Sequence, residues 1–122
     1  MKKIEAGNVY LAKRTDIPAS YPKFQLFFDE LHILLINTDG NRNNINVTVT
    51  PEDCPILTNK ESCICIDNLF RFEPEQKVIR VAQMSTACLE KLKTMLPMSN
   101  TITTIDIKKM VKIIENVVDS RK

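Results

Sequence analysis

The sequence predicts an α+β fold in which a small antiparallel sheet or barrel comes first and the helices come last. Residues 24–72 contain four short apolar runs rich in Ile, Val, Thr and Phe. A polar turn, Thr38-Asp39-Gly40-Asn41, and a proline-bearing loop at 51–55 separate them, and this spacing is typical of short antiparallel strands. Helical patterns begin only near Ser85, and strands followed by helices favour α+β over an alternating α/β fold.

We predict six strands from runs of apolar or alternating residues, at 9–12, 24–28, 33–36, 45–50, 62–67 and 78–83. The second and third form a hairpin around Asp29 and Glu30. The third is apolar nearly throughout, which indicates a strand covered on both faces. In the fourth and fifth strands, apolar and other residues alternate, and this alternation places Asp67 on the face opposite the buried one. That predicted buried face consists of Ile45, Val47, Val49, Ile64 and Ile66.

Two helices are predicted after the strands. Ser85 is the expected N-cap of the first, over 86–96, and Pro97 is its expected stop. Thr104 is the expected cap of the second, longer helix. Its apolar residues recur at helical spacing, which indicates a face that packs on the core. These residues are Ile107, Met110, Val111, Ile114 and Val118.

Length and composition predict one domain over residues 1–122, with the sheet or barrel at about 4–84 and the helices at about 85–122. A chain of 122 residues with 43% hydrophobic and 26% charged residues suits a single core. No apolar run is long enough for a transmembrane helix, and the start lacks the apolar stretch of a signal peptide. We therefore expect a cytoplasmic protein. A net charge of +2 neither demands nor excludes nucleic acid.

The cysteines and the single histidine predict structural roles. Cys63 and Cys65 are two apart on a predicted strand and so share a face. Neither they nor Cys54 and Cys88 have the paired spacing of a zinc site, so we expect reduced, packed thiols. His32 falls inside the apolar run 31–36 that contains the third predicted strand, where a packed histidine is more common than a base. We expect no metal, because the ligand spacing of a zinc site is missing, and no cofactor, because the chain has only 2 glycines and no phosphate-binding loop.

Four polar side chains at predicted strand ends are the candidate catalytic residues: Lys23, Thr50, Asp67 and Arg71. A carboxylate can take the proton of a ribose 2′-hydroxyl, and a cation can stabilise the charge that develops on phosphorus. These residue types therefore suit metal-free cleavage of a phosphodiester.

Several segments resemble the PemK/MazF-type toxin family. They are Gly7-Asn8-Val9-Tyr10-Leu11, Pro22-Lys23-Phe24, Leu34-Leu35-Ile36-Asn37, Val47-Thr48-Val49-Thr50, Asp53-Cys54-Pro55-Ile56-Leu57, Ser62-Cys63-Ile64-Cys65-Ile66-Asp67 and Met84-Ser85. Together they extend over most of residues 4–98. The resemblance implies an SH3-like barrel with a helical supplement, usually a homodimer. It also implies a toxin of a type II toxin–antitoxin system, which cleaves single-stranded RNA without metal and is restrained by a cognate antitoxin protein.

The resemblance also implies residue roles. Thr50 falls where MazF-like members carry a threonine, and Asp67 falls where the Kid/PemK branch carries an aspartate implicated as the base. Lys23 stands where many members have arginine followed by proline, and it keeps the charge without the planar bidentate fork. Cys65 stands where the Kid/PemK branch has an arginine, two residues before its aspartate. The cation would come from Lys23 or Arg71. Two alternatives stay open: a non-catalytic barrel that acts by protein contact, and an RNA-binding or regulatory module.

Overall fold

The computed structural model describes residues 4–38, 45–58 and 62–122. Six strands are followed by two helices, which confirms the α+β class and the order of the elements. The strands are β1 (Asn8–Arg14), β2 (Lys23–Asp29), β3 (His32–Asn37), β4 (Asn46–Val49), β5 (Ser62–Cys65) and β6 (Gln76–Gln83). The helices are α1 (Thr86–Met95) and α2 (Thr104–Ser120). The predicted turn at 38–41 lies outside the described residues from Asp39 onward.

The strands form one antiparallel sheet in the order β4-β5-β3-β2-β1-β6. β4 and β6 occupy its two edges and do not pair with each other, so the described residues form an open sheet and not a closed barrel. Closure needs hydrogen bonds between the two outer strands. Here the helices cover the main face of the sheet instead, and the predicted SH3-like barrel is not confirmed.

The main core lies between one face of the sheet and the two helices. Val47, Val49, Ile64 and Ile66 are buried there, as the alternation predicts, whereas Ile45 is only half-buried. The stripe of α2 packs into the same core through Met110, Ile114 and Val118. Burial of this apolar area is the principal force that fixes the helices on the sheet.

The opposite face of the sheet carries a second, smaller core of Tyr10, Ala12 and Ile33. Aromatic rings surround Tyr10: its centroid lies 6.3 Å from that of Phe27 and 6.3 Å from that of Phe72. Because Ile33 belongs to this core and its neighbours in β3 belong to the main core, β3 is covered on both faces, as predicted.

Local signals position the helices. The Ser85 side chain accepts a hydrogen bond from the Cys88 backbone N–H at 3.0 Å and is the N-cap of α1, as predicted. The cap of α2 is Thr103, not Thr104, because its Oγ1 accepts from the Asp106 backbone N–H at 3.2 Å. α1 ends at Met95 and continues as a short 3₁₀ turn, Leu96–Met98. Within the described residues, no helix is both long and apolar enough to cross a bilayer.

Candidate functional site

A groove of about 450 Å³ opens on the second face of the sheet. Its floor is formed by side chains of the three central strands, among them Ala12, Gln25 and Leu35. Residues 17–21 form one wall and residues 70–76 form the other. The strands place the floor because every second residue of each strand points to this face.

The second wall is held on the sheet by backbone hydrogen bonds. Phe70 and Ile33 exchange two, each with an N–O distance of 2.9 Å, and the Phe72 N–H donates to the Glu30 carbonyl at 2.8 Å. Phe72 then packs on Phe27 with the two rings perpendicular and their centroids 6.0 Å apart. This anchoring makes the residues on either side of Phe72 part of the groove.

A chain of hydrogen bonds, buried at its Tyr10 end and partly buried beyond it, runs along the floor of the groove. The Tyr10 hydroxyl donates to Gln25 Oε1 at 3.0 Å, and Gln25 Nε2 donates to Gln76 Oε1 at 2.6 Å. Gln76 Nε2 in turn donates to the Glu73 carbonyl at 3.1 Å. Tyr10 is fully buried, and burial raises the pKa of its phenol well above the usual range. The hydroxyl therefore remains a neutral donor.

The groove carries more positive than negative charge. Lys23, Arg71, Arg14 and Glu73 line it. Arg14 is engaged by Asp16, with Nε and Oδ1 2.9 Å apart, and its Nη1 lies 3.6 Å from a Glu73 oxygen. Lys23 and Arg71 are exposed and form no ion pair with any described residue. Both cations are therefore available to an anionic ligand.

Exposed apolar side chains complete the groove. Tyr21 is 82% exposed, and Phe70 is 41% exposed. Ile17 lies on the same wall as Tyr21. Aromatic side chains left in water beside cations can stack on the bases of a single strand, while the cations contact its phosphates.

Thr50 lies elsewhere, at the start of the turn that follows β4 on the way to β5. Its Oγ1 donates to Asp53 Oδ2 at 3.1 Å, and the Ser85 hydroxyl donates to Asp53 Oδ1 at 2.7 Å. Burial opposes the ionisation of Asp53, but these hydrogen bonds outweigh it and lower the pKa of the carboxyl. Thr50 is thus part of a link between the sheet edge and the helix cap.

Asp67 follows β5 and is half-buried, and its carbonyl accepts a hydrogen bond from the Thr101 hydroxyl. Val49 lies opposite Ser62 in the antiparallel β4–β5 ladder. Thr50 therefore lies next to the first residue of β5, whereas Asp67 lies past the last residue of β5, at the opposite end of this strand. At about 3.4 Å per residue, the two are roughly 20 Å apart along the strands.

The structure thus brings together two of the four predicted catalytic residues. Lys23 and Arg71 share the groove, whereas its lining includes neither Thr50 nor Asp67. Lys23 also borders a neighbouring depression of about 370 Å³, which Cys65 lines as well.

His32 is buried in a second polar cluster. Its Nδ1 lies 2.6 Å from Asp29 Oδ1, and its Nε2 lies 2.9 Å from Asp106 Oδ1, so the ring connects the β2–β3 hairpin to the first turn of α2. Burial opposes protonation, but the hydrogen bonds to both carboxylates outweigh it and raise the pKa of His32. Since a carboxylate only accepts, both ring nitrogens donate when the imidazole is protonated.

The cysteines are free thiols, and three of them are buried. Burial raises the pKa of Cys54, and it raises the pKa of Cys88 to about 12. In the described part of the chain, no group of three or more His, Cys, Asp and Glu side chains is arranged to hold a metal ion.

Comparison with known proteins found no relative. No family model matches the chain, no curated protein matches it, and no solved structure matches it.

Sequence reasoning missed several residues of the groove, above all Tyr21, Phe70 and Glu73. One signal was present: the short segments Tyr21-Pro22-Lys23 and Phe70-Arg71-Phe72-Glu73 each place an aromatic residue beside a cation. Aromatic residues interleaved with basic ones are a feature of surfaces that bind single-stranded nucleic acid.

Proposed function

We propose that this chain is a PemK/MazF-type toxin that binds single-stranded RNA in the groove and cleaves it without metal. One observation carries the proposal: a single groove collects two cations that are unpaired among the described residues, Lys23 and Arg71, and two exposed aromatic side chains, Tyr21 and Phe70. The cations would neutralise phosphates, and the rings would stack on bases.

The dimensions of the groove support this proposal. Its volume of about 450 Å³ falls within the range of about 300–1,000 Å³ that small-ligand sites occupy. Stacking of a base on an aromatic ring is worth about 1–3 kcal/mol and tolerates any base, because every base has a π-face.

The remaining parts of the proposal rest on the resemblance. They are the SH3-like character of the sheet, the cytoplasmic location, the homodimer, the cognate antitoxin, and the roles of Asp67 as base and of Thr50. For the cleavage step itself, the groove contributes Lys23 and Arg71 as the groups that stabilise charge on the phosphate.

A binding experiment tests the groove. We expect the double variant Lys23→Ala/Arg71→Ala to bind a fluorescent single-stranded RNA at least tenfold more weakly than wild type in anisotropy titrations. Loss of two phosphate contacts on a single strand should also reduce the slope of log K against log salt by about 1.4. The matched control is Lys108→Ala/Lys112→Ala, which removes two exposed cations from α2. If the control weakens binding as much as the groove variant, the groove is not the RNA site.

A cleavage experiment tests the catalytic part. Purified wild type, freed of any antitoxin, should cut a mixed single-stranded RNA in the presence of a chelator. The described lining of the groove includes neither Thr50 nor Asp67, and this favours one alternative, an RNA-binding module without nuclease activity. RNA that is bound in the titration and left intact in the chelator would establish that alternative.

A further inference from the structure

The groove contains a carboxylate that the resemblance does not use. Of the described residues that line it, Glu73 is the only one with an acidic side chain. Its side chain is 44% exposed and so can reach a bound ligand. A cleavage site needs a proton acceptor beside the phosphate that its cations hold, and Glu73 shares the groove with both Lys23 and Arg71.

A hydrogen bond from Gln76 holds the backbone at Glu73. Its carbonyl is the last acceptor of the buried chain that starts at the Tyr10 hydroxyl and passes through Gln25 and Gln76. Because two of these three side chains are at least nine-tenths buried, the chain ties the wall of the groove to the rigid centre of the sheet. A catalytic group positioned by a packed hydrogen-bond network loses little freedom when the substrate binds.

The Glu73 carboxylate is not committed to a strong partner. Its contact with Arg14 is long, at 3.6 Å, and Arg14 directs its Nε to Asp16 at 2.9 Å. An exposed ion pair of this length contributes little to stability. The carboxylate can therefore exchange this contact for a ribose hydroxyl.

We propose that Glu73 is the catalytic base of the groove, an inference that rests on the proposed function. The Glu73 carboxylate takes the proton of the ribose 2′-hydroxyl, and the 2′ oxygen forms a bond to phosphorus. The bond from phosphorus to the 5′ oxygen breaks, and the Lys23 ammonium gives that oxygen a proton, while Arg71 stabilises the charge on phosphorus. The products are a 2′,3′-cyclic phosphate and a 5′-hydroxyl end, and solvent then returns both side chains to their starting protonation states.

The test compares three isosteric variants by single-turnover cleavage of single-stranded RNA in chelator, with the ends identified by mass spectrometry. Glu73→Gln keeps the shape of the side chain and removes its basicity. We expect it to cut 10²- to 10⁴-fold more slowly than wild type, to bind RNA at least as tightly, and to lose the acidic limb of the pH–rate profile. The matched control, Glu75→Gln, alters an exposed carboxylate in the same turn and should cut at the wild-type rate.

Asp67→Asn separates the two candidate bases. Slow cleavage by Asp67→Asn together with normal cleavage by Glu73→Gln would overturn the assignment of Glu73 and leave the ribonuclease function in place. Wild type that binds RNA and leaves it intact would overturn the function, and the assignment with it. A melting curve of Glu73→Gln close to that of wild type ensures that slow cleavage does not reflect unfolding.

Discussion

Tyr10→Phe is expected to destabilise the protein through the buried chain under the groove. The substitution removes only the hydroxyl, so the ring keeps its contacts with Phe27 and Phe72. Gln25 Oε1 then loses its donor while the Gln25 side chain stays 93% buried. Loss of such a hydrogen bond, with a buried acceptor left unpaired, costs about 1–2 kcal/mol of the free energy of unfolding.

This cost converts to a melting temperature. With about 2.1 cal/mol/K of unfolding entropy per residue, 122 residues give about 0.26 kcal/mol/K. A loss of 1–2 kcal/mol therefore lowers the melting temperature by about 4–8 °C. Circular dichroism at 222 nm during heating measures the shift, and urea unfolding gives the free energy independently.

Tyr21→Phe is the matched control, since Tyr21 is the other of the 2 tyrosines in the chain and is 82% exposed. The same chemical change at this surface position should alter stability by no more than about 0.5 kcal/mol, or about 2 °C. Equal melting temperatures for the two variants would show that the hydrogen bond from Tyr10 to Gln25 adds no stability beyond the one that the hydroxyl makes with water in the unfolded chain. The buried chain would then not position Glu73.

Three further predictions concern other parts of the molecule. The pKa of His32 is raised above 6.5, so the stability that its charge contributes is fully present at lower pH and is lost as the pH rises through the raised value. The melting temperature of wild type should therefore fall over that range relative to His32→Gln, and melting temperatures that change with pH in parallel for the two proteins would contradict this. Gly7→Ala should cost about 1–3 kcal/mol in urea unfolding, because Gly7 has φ +85° and a Cβ there would lie 2.8 Å from Val117 Cγ1; an unchanged midpoint would contradict that strain. In alkylation followed by mass spectrometry, half-buried Cys65 should react before Cys88, and the reverse order would show that the α1 face opens.

The sheet and helices could be predicted from the sequence because each buries one regular face. All six strands appear where a period of two or a short apolar run predicts them, and the observed ends differ from the predicted ends by at most two residues. β5 ends earlier than expected, at Cys65, because the chain leaves the ladder at Ile66 and pairs with β3 again only at Phe70. Whether the sheet is open or closed into a barrel could not be predicted, because this depends on whether the outer strands β4 and β6 form hydrogen bonds with each other.

The groove was harder to predict than the sheet. Its second wall pairs with β3 through a single bridge at Phe70, which is too short to produce a periodic pattern. Lys23 and Arg71 were identified by their chemistry, and their shared location depends on that bridge. Glu73 was missed because its position depends on a hydrogen bond from Gln76, and Gln76 is held in turn by Gln25, which lies 51 positions earlier in the chain.

The order in which the ribosome makes this chain exposes the main face of the sheet for a time. β6 ends at Gln83, but the core also requires Val118, near the end of α2. At about 5–20 residues per second, translation of that interval takes roughly 2–7 s. Until then α2 cannot cover the strands, and apolar residues that are buried in the finished protein face water. Slow codons within this interval lengthen the exposure without changing any amino acid.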